Sequence, residues 1–354
     1  MAEKTSATAG QDAASQLAGL RSRAEGLIKK IGLDDPYKAF QEMNANIDGV
    51  ANTLSALRKR GYVFGGDWEK QAASLRANWP SQKRDAERIY AEQKGELQIA
   101  SRRVQQLLVR AERDSTLLDD LGRDLNEFER QISSAEERLQ GACAAADNAY
   151  GLISGGIEQA TFLLDELDGV TFNLLRDEHP VAACKAQWVS NKEEPQGILY
   201  LTDQRILFEQ EEEKATKKIL FITTKSEMVQ RLLWEAPVGA VKKANAEDKG
   251  GFAGFGVKEL LTLEFGESGG NLPKDVTLRF LDYADNEMWQ GLIQRVKSGE
   301  IQKERYGASA KAEAAPAPRE VPTHCPRCNA ALPTVYKGTQ QITCEYCGAT
   351  VNVG

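Results

Sequence analysis

Between Leu121 and Leu167 the apolar residues fall on a regular beat. Leu121, Leu125, Phe128, Ile132, Ala135, Leu139, Ala142 and Ala146 are separated by alternating steps of four and three. Tyr150, Ile153, Ile157, Ala160, Leu164 and Leu167 resume the rhythm after one skipped residue. A 3.5-residue repeat places these side chains on one stripe of a helix and describes a left-handed supercoiled seam. Two arrangements bury such a seam: an antiparallel bundle with the chain's own earlier helices, or a coiled coil that dimerises or grips a partner. Alanines at several seam positions allow close approach but bury little area, which favours the bundle. Residues 11–176 as a whole are rich in Ala, Leu, Glu, Arg and Gln and read as helix, after a disordered stretch at 1–10. Asp34-Asp35-Pro36 predicts a helix start. Gly61 to Gly66 and Pro80 predict breaks, and Gly155-Gly156 a kink or break.

From 178 to 300 the period changes to that of strands. Short β-type runs occur at 180–189, 197–202, 205–210, 217–223, 230–235, 257–265 and 276–281. Turn signals separate them: Glu194 to Gly197, Asp203-Gln204, Glu211 to Thr216, and Ser268 to Asn271. Asp285 to Lys297 then forms one amphipathic helix, with Met288, Trp289, Leu292, Ile293 and Val296 on its apolar face. Residues 301–321 are an Ala/Pro-rich linker without the means to build a core.

The last segment, 322–354, carries the clearest chemistry. Cys325-Pro326-Arg327-Cys328 and Cys344-Glu345-Tyr346-Cys347 are two knuckles fifteen residues apart, each aiming two thiolates at one point. Asn329 and Gly348 follow the second cysteine of each pair, where the turn favours a positive φ. Four thiolates fill a tetrahedral Zn²⁺ and leave no position for water, so the spacing predicts one structural zinc per chain. A rubredoxin-like iron site and redox-active C-x-x-C pairs are the alternatives, and His324 is a substitute ligand next to Cys325. Leu332 to Tyr336, Gln341 to Thr343 and Ala349 to Val353 supply the short strands of the module.

Two resemblances follow from these strings. Gly197-Ile198-Leu199-Tyr200-Leu201-Thr202-Asp203-Gln204-Arg205-Ile206-Leu207-Phe208 resembles the second-to-third strand hairpin of GRAM-type and bacterial PH-like domains. A G-x-L-x-L-T-x-x-R-L-x-F string is common there. Trp234-Glu235-Ala236-Pro237-Val238-Gly239-Ala240-Val241 resembles a later stretch of the same families. The resemblance covers about a third of the chain and implies a seven-stranded barrel closed by a C-terminal helix. The cysteine pattern resembles the zinc ribbons appended to many bacterial and archaeal proteins. No family is identified for the helical region.

Composition narrows the function classes. The 354 residues carry 45 Lys and Arg against 52 Asp and Glu, a net charge of −7, where nucleic-acid and anionic-membrane binders usually show a basic excess. Between Pro322 and Gly354 the only basic residues are Arg327 and Lys337, so nucleic acid is not the expected partner of the module, although Tyr336 and Tyr346 are candidates for base stacking. The loop joining the first two strands, Ser190 to Pro195, holds more acid than base, which argues against headgroup recognition there; Lys214, Lys217, Lys218 and Lys225 form a basic cluster elsewhere. Gly250 to Gly256, with Phe252 and Phe255, either inserts its rings into a bilayer or partner groove or folds back on the sheet edge. It matches no phosphate-binding glycine pattern.

No run is long enough for a membrane helix, and Met1 to Thr5 lacks the pattern of a secretion signal. Cys143 and Cys184 stand apart from the paired cysteines, so the expected location is the cytoplasm, with peripheral membrane contact open. The chain has two histidines, and no nucleophile-elbow, H-E-x-x-H or kinase-type string. The sequence therefore predicts a non-enzymatic, zinc-binding interaction scaffold with a protein partner and possible self-association through the coiled coil. The alternatives are a membrane-peripheral scaffold in envelope stress or membrane remodelling, and a nucleic-acid-associated zinc-ribbon factor.

Overall fold

A computed structural model describes residues 2–219, 222–250, 258–266, 272–281, 284–307, 323–335 and 339–352, with side chains from Asp12 onward except 214–226. The loop residues 251–256, the turn 268–271, the linker from 308 to 321, Tyr336, Lys337 and the side chains of the four clustered lysines lie outside the described set. The chain divides into two compact units, Met1–Thr53 with Glu69–Ser154, and Leu54–Trp68 with Gly155–Gly354.

Four helices, α1 (Ala2–Lys29), α2 (Asp34–Lys59), α3 (Trp68–Ala111) and α4 (Leu118–Leu167), supply the first unit and contribute to the second. Helix α1 begins at Ala2, carrying helix into the 1–10 segment expected to be disordered. That segment contains alanines and no proline. Leu121, Leu125, Phe128, Ile132 and Ala135 of the α4 seam are buried in one cluster with Ala24 and Leu27 of α1 and Leu97, Val104 and Ala111 of α3. The chain's own helices thus cover this part of the seam, the bundle alternative. Helices α3 and α4 run antiparallel, joined at a turn where Asp114 accepts from the N–H of Thr116 at 3.1 Å, with Arg103 on Asp124 one side further down.

Two expected breaks are absent. Pro80 lies inside α3. The proline costs one backbone hydrogen bond, on the order of 3 kcal/mol. Its neighbour Trp79 is buried, packs on Phe40 and donates Nε1–H to Asn44 Oδ1 at 3.0 Å, which holds the helix through that point. Gly155-Gly156 does not interrupt α4 either. A Cβ on Gly156 would stand 2.4 Å from the Trp68 ring, so this glycine serves close packing rather than a kink. The Gly61–Gly66 break is present between α2 and α3.

In the second unit the strands are β1 (Pro180–Trp188), β2 (Gln196–Thr202), β3 (Arg205–Ile219), β4 (Ile222–Pro237), β5 (Val241–Lys249), β6 (Lys258–Phe265) and β7 (Asp275–Phe280), followed by helix α5 (Asn286–Lys297). They form one antiparallel seven-stranded sheet in the order β4-β3-β2-β1-β7-β6-β5, with the seven strands and C-terminal helix that the PH-like resemblance implies. Trp234 of β4 packs against Phe265 of β6 with ring centroids 5.7 Å apart, bringing opposite parts of the strand order together. Helix α5 starts at an Asp285 cap, whose carboxylate accepts from Met288 N–H at 2.8 Å, and buries Trp289, Leu292, Ile293 and Val296.

The strand count agrees with expectation, but the membership differs. The 217–223 run is no separate strand; it belongs to the distal end of a long β3–β4 hairpin, and the predicted Glu211–Thr216 turn is part of β3. Strand β5 was not predicted. It is an edge strand, buried mainly at Val241, whose Lys242, Lys243, Glu247, Asp248 and Lys249 erase the apolar alternation. The linker also starts later than residue 301. Ile301 is buried, the Gly66 N–H donates to Glu304 O at 2.7 Å, and the Tyr306 N–H to Val63 O at 2.7 Å.

Candidate metal centre

The cysteine module is built from two near-equivalent turns. In the first, Asn329 N–H donates to Cys325 O at 2.8 Å and Cys325 N–H to Ala330 O at 2.8 Å; in the second, Gly348 N–H donates to Cys344 O and Cys344 N–H to Ala349 O, both at 2.9 Å. Asn329 and Gly348 have φ of +56° and +69°, the left-handed conformation expected after each pair. Strands β8 (Gln341–Thr343) and β9 (Thr350–Asn352) pair antiparallel behind the second turn. The small core consists of Cys325, Cys344 and Val351, with Leu332, Val335 and Ile342 packed on it.

The structure brings all four cysteines together. Every Sγ lies within 4.8 Å of the others, with Cys325 and Cys347 3.7 Å apart and Cys328 and Cys344 3.6 Å apart. Sulfurs on a tetrahedron with metal–sulfur bonds of about 2.3 Å stand roughly 3.8 Å apart, so the set is compatible with a metal site. Cys325 and Cys344 are buried, Cys347 is intermediate and Cys328 is exposed. His324 is not among the clustered groups; its Nδ1 lies 3.1 Å from Thr323 Oγ1.

The thiols themselves favour a cation. Backbone N–H groups of Arg327 and Cys328 hold the Cys325 thiol down to about 7. At Cys328 the Ala330 N–H acts in the same direction, but the neighbouring sulfurs, Cys347 first, push it up to about 12. One thiolate forms readily near neutrality, and the next is opposed by the charge and hydrogen bonding already present. A bound cation relieves that opposition.

Away from the cysteines, the hairpin arginine has a packing role. Arg205 donates Nε–H to Glu178 Oε1 at 2.9 Å and Nη2–H to Glu178 Oε2 at 2.7 Å, pairs with Glu235, and reaches Asn173 O at 2.9 Å. Glu178 is fully buried and also accepts from the Thr202 hydroxyl at 2.6 Å. Beside it, Asp203 Oδ2 lies 2.6 Å from Arg305 Nη2 and 3.3 Å from His179 Nδ1. Sequence reasoning missed this cluster because its members are spread from 178 to 305. The Arg176 N–H donates to Val335 O at 3.0 Å, joining the module to the segment that precedes β1.

No protein-family model matches the sequence, and no curated protein matches it. Among solved structures the chain is similar to the Vps36 N-terminal PH domain, at 15% identity over 38% of this chain and 92% of that one, with a TM-score of 0.23. It is similar to the DH/PH domains of p115-RhoGEF at 12% identity, 80% and 96% coverage and a TM-score of 0.21. A structure of Vav1 with an allosteric inhibitor matches at 14% identity, 96% and 93% coverage and a TM-score of 0.26. At these scores the likenesses carry no argument about the fold.

Proposed function

We propose that the chain is a non-enzymatic interaction scaffold in which a zinc-loaded cysteine module and a PH-like domain each offer a contact surface for protein. The observation that carries this reading is the closed four-sulfur set, which offers a metal four ligands and no position for a substrate. Zinc is preferred to iron because four thiolates in two closely spaced pairs are a common donor set of structural zinc. The proximity of Trp234 and Phe265 supports curling of the sheet into the barrel that the resemblance implies. Self-association through the α4 seam is not invoked, since its residues from Leu121 to Ala135 already pack on α1 and α3. A cytoplasmic location suits a reduced four-thiol set.

Metal analysis of the purified protein tests the assignment: about one zinc per chain is expected. No zinc or iron, with the module still folded, overturns it. Capture of a protein partner that is unchanged by removal of 322–354 would count against the module as a contact surface.

A membrane-peripheral role is the second reading, favoured by one observation. Beyond Gln210 the β2 strand no longer pairs with β3, and the β3–β4 ladder continues alone to Ile219 opposite Ile222. Lys214, Lys217, Lys218 and Lys225 belong to this extension. Co-sedimentation with phosphatidylserine vesicles at low salt tests it, and absence of binding there ends it. Among the described residues, no helix is long and apolar enough to cross a membrane.

A further inference from the structure

The four sulfurs of the cysteine module differ in their access to water. Cys325 and Cys344 are 1% and 2% exposed and lie in the small core with Val351, and Cys347 packs against that core. Cys328 is exposed, as are Pro326, Arg327 and Asn329 around it. The backbone bond from Cys325 N–H to Ala330 O draws the first cysteine of that turn inward and leaves the second at its outer edge. A water-borne reagent therefore meets Cys328 before the other three, and reactivity of a thiolate follows such access.

A second sulfur stands ready behind it. Cys344 Sγ lies 3.6 Å from Cys328 Sγ, although the two are 16 residues apart and belong to different knuckles. An S–S bond is about 2.05 Å long, so the pair has to close by roughly 1.5 Å, an approach that side-chain rotation supplies. The two cysteines outside the module are less suited to such chemistry. Cys143 is half-buried, and burial first and then Asp147 push its thiol up, which leaves less thiolate to react. Cys184 is buried in β1.

We propose that Cys328 is an oxidative modification site for hydroperoxides and that Cys344 resolves it into a disulfide across the two knuckles. The Cys328 thiolate attacks the terminal peroxide oxygen; the S–O bond forms, the O–O bond breaks, and hydroxide or alkoxide leaves, giving the sulfenic acid. The Cys344 thiolate then attacks the Cys328 sulfur; the S–S bond forms, the S–O bond breaks, and hydroxide leaves. The two sulfurs lose two electrons in all, and the peroxide gains them. Zinc, when bound, keeps the sulfurs ionised for this chemistry. Cys325 and Cys347 alone supply two of the four ligands a structural zinc needs, so metal is lost as the disulfide forms. The sulfur step stands on exposure and distance, whereas the loss of metal rests on the zinc reading of the module.

The test treats the full-length protein, reduced and loaded with zinc, with hydrogen peroxide in small excess. Metal content is measured first. A chromogenic indicator then follows zinc release, peptide mass spectrometry identifies linked cysteines, and a parallel sample with dimedone captures sulfenic acid. The expected result is first label on Cys328, a Cys328–Cys344 linkage as the main product, and release of about one zinc per chain in step with it. Dithiothreitol should reverse the linkage. C328H keeps a fourth zinc ligand without an oxidisable thiol and should slow release roughly tenfold or more. If that variant does not hold zinc, the order of labelling in the unaltered protein decides. First label on another cysteine, a Cys325–Cys328 or Cys325–Cys347 main product, no linkage under peroxide, or unchanged release from C328H overturns the proposal. A protein without zinc or iron at the outset defeats the zinc reading, and the linkage it forms still tests the sulfur step. A different linkage in the loaded protein defeats this inference and leaves the zinc reading standing.

Discussion

The helical unit buries Leu97, Val104, Leu121, Leu125, Phe128 and Ile132 in one contiguous cluster, whereas the core of the cysteine module is Cys325, Cys344 and Val351 with a few half-buried neighbours. The first can hold itself together by apolar burial. The second is too small for that, and its stability would have to come from a metal held by its four sulfurs. Two regions of one chain therefore rest on different physics, and each should fail under conditions the other survives.

The largest test is C344S. Loss of one thiolate from a four-ligand site should abolish stoichiometric zinc and unfold the module, removing a contribution on the order of 10 kcal/mol, while far-UV helicity is unchanged. Strong chelation should have the same selective effect, and a loss of helicity on chelation would contradict the contrast. Next comes F128A, which opens a cavity among buried α4 seam residues and should cost about 3–5 kcal/mol in denaturant unfolding of the helices with zinc content intact. In G156A the added methyl meets the Trp68 ring, with an expected cost of about 1–3 kcal/mol; G155A, which meets nothing within 4 Å, should be neutral or slightly stabilising. G348A forces a side chain into a φ of +69°, costing about 1 kcal/mol and lowering zinc affinity by up to roughly tenfold in a competition assay.

The smallest effect concerns pH. Burial raises the Asp203 carboxyl, but hydrogen bonds from the His179 ring and N–H, from Gln302 and from Arg305 outweigh it and hold it below its ordinary value. A depressed folded-state pKa contributes stability above the unfolded value of about 3.9 and loses it as pH falls through the folded value. Thermal melts of the PH-like domain should therefore weaken below about pH 4, and D203N should flatten that dependence. An unchanged acid slope in D203N would remove Asp203 from the account.

The parts that were legible in the sequence are those with local signatures. The Cys-x-x-Cys spacing, the positive-φ residues Asn329 and Gly348, and the helical span of 285–297 are each set by neighbours a few residues away. Strand β5 was illegible because an edge strand faces water and carries charge where a central strand carries valine or leucine. The strand expected at 217–223 failed for the converse reason: a β-rich run shows that the backbone is extended, not where one strand ends and the next begins. Pro80 and Gly156 misled because local propensity was opposed by particular partners, Phe40 and Asn44 around Trp79, and Trp68 against Gly156.

By itself, the sequence determined the succession of helical, strand and cysteine segments and the identity of the four clustering thiols, since periodicity and spacing act over a few residues. Tertiary structure alone decided that the α4 seam packs within its own chain from Leu121 to Ala135, and that Glu178 and Arg205 pair in the interior. It likewise decided that Glu166, at the end of α4, and Glu211, on β3 with two whole strands between them, line one groove. Those outcomes depend on contacts between residues distant along the chain, and their cost in chain entropy is recovered only when the whole unit closes.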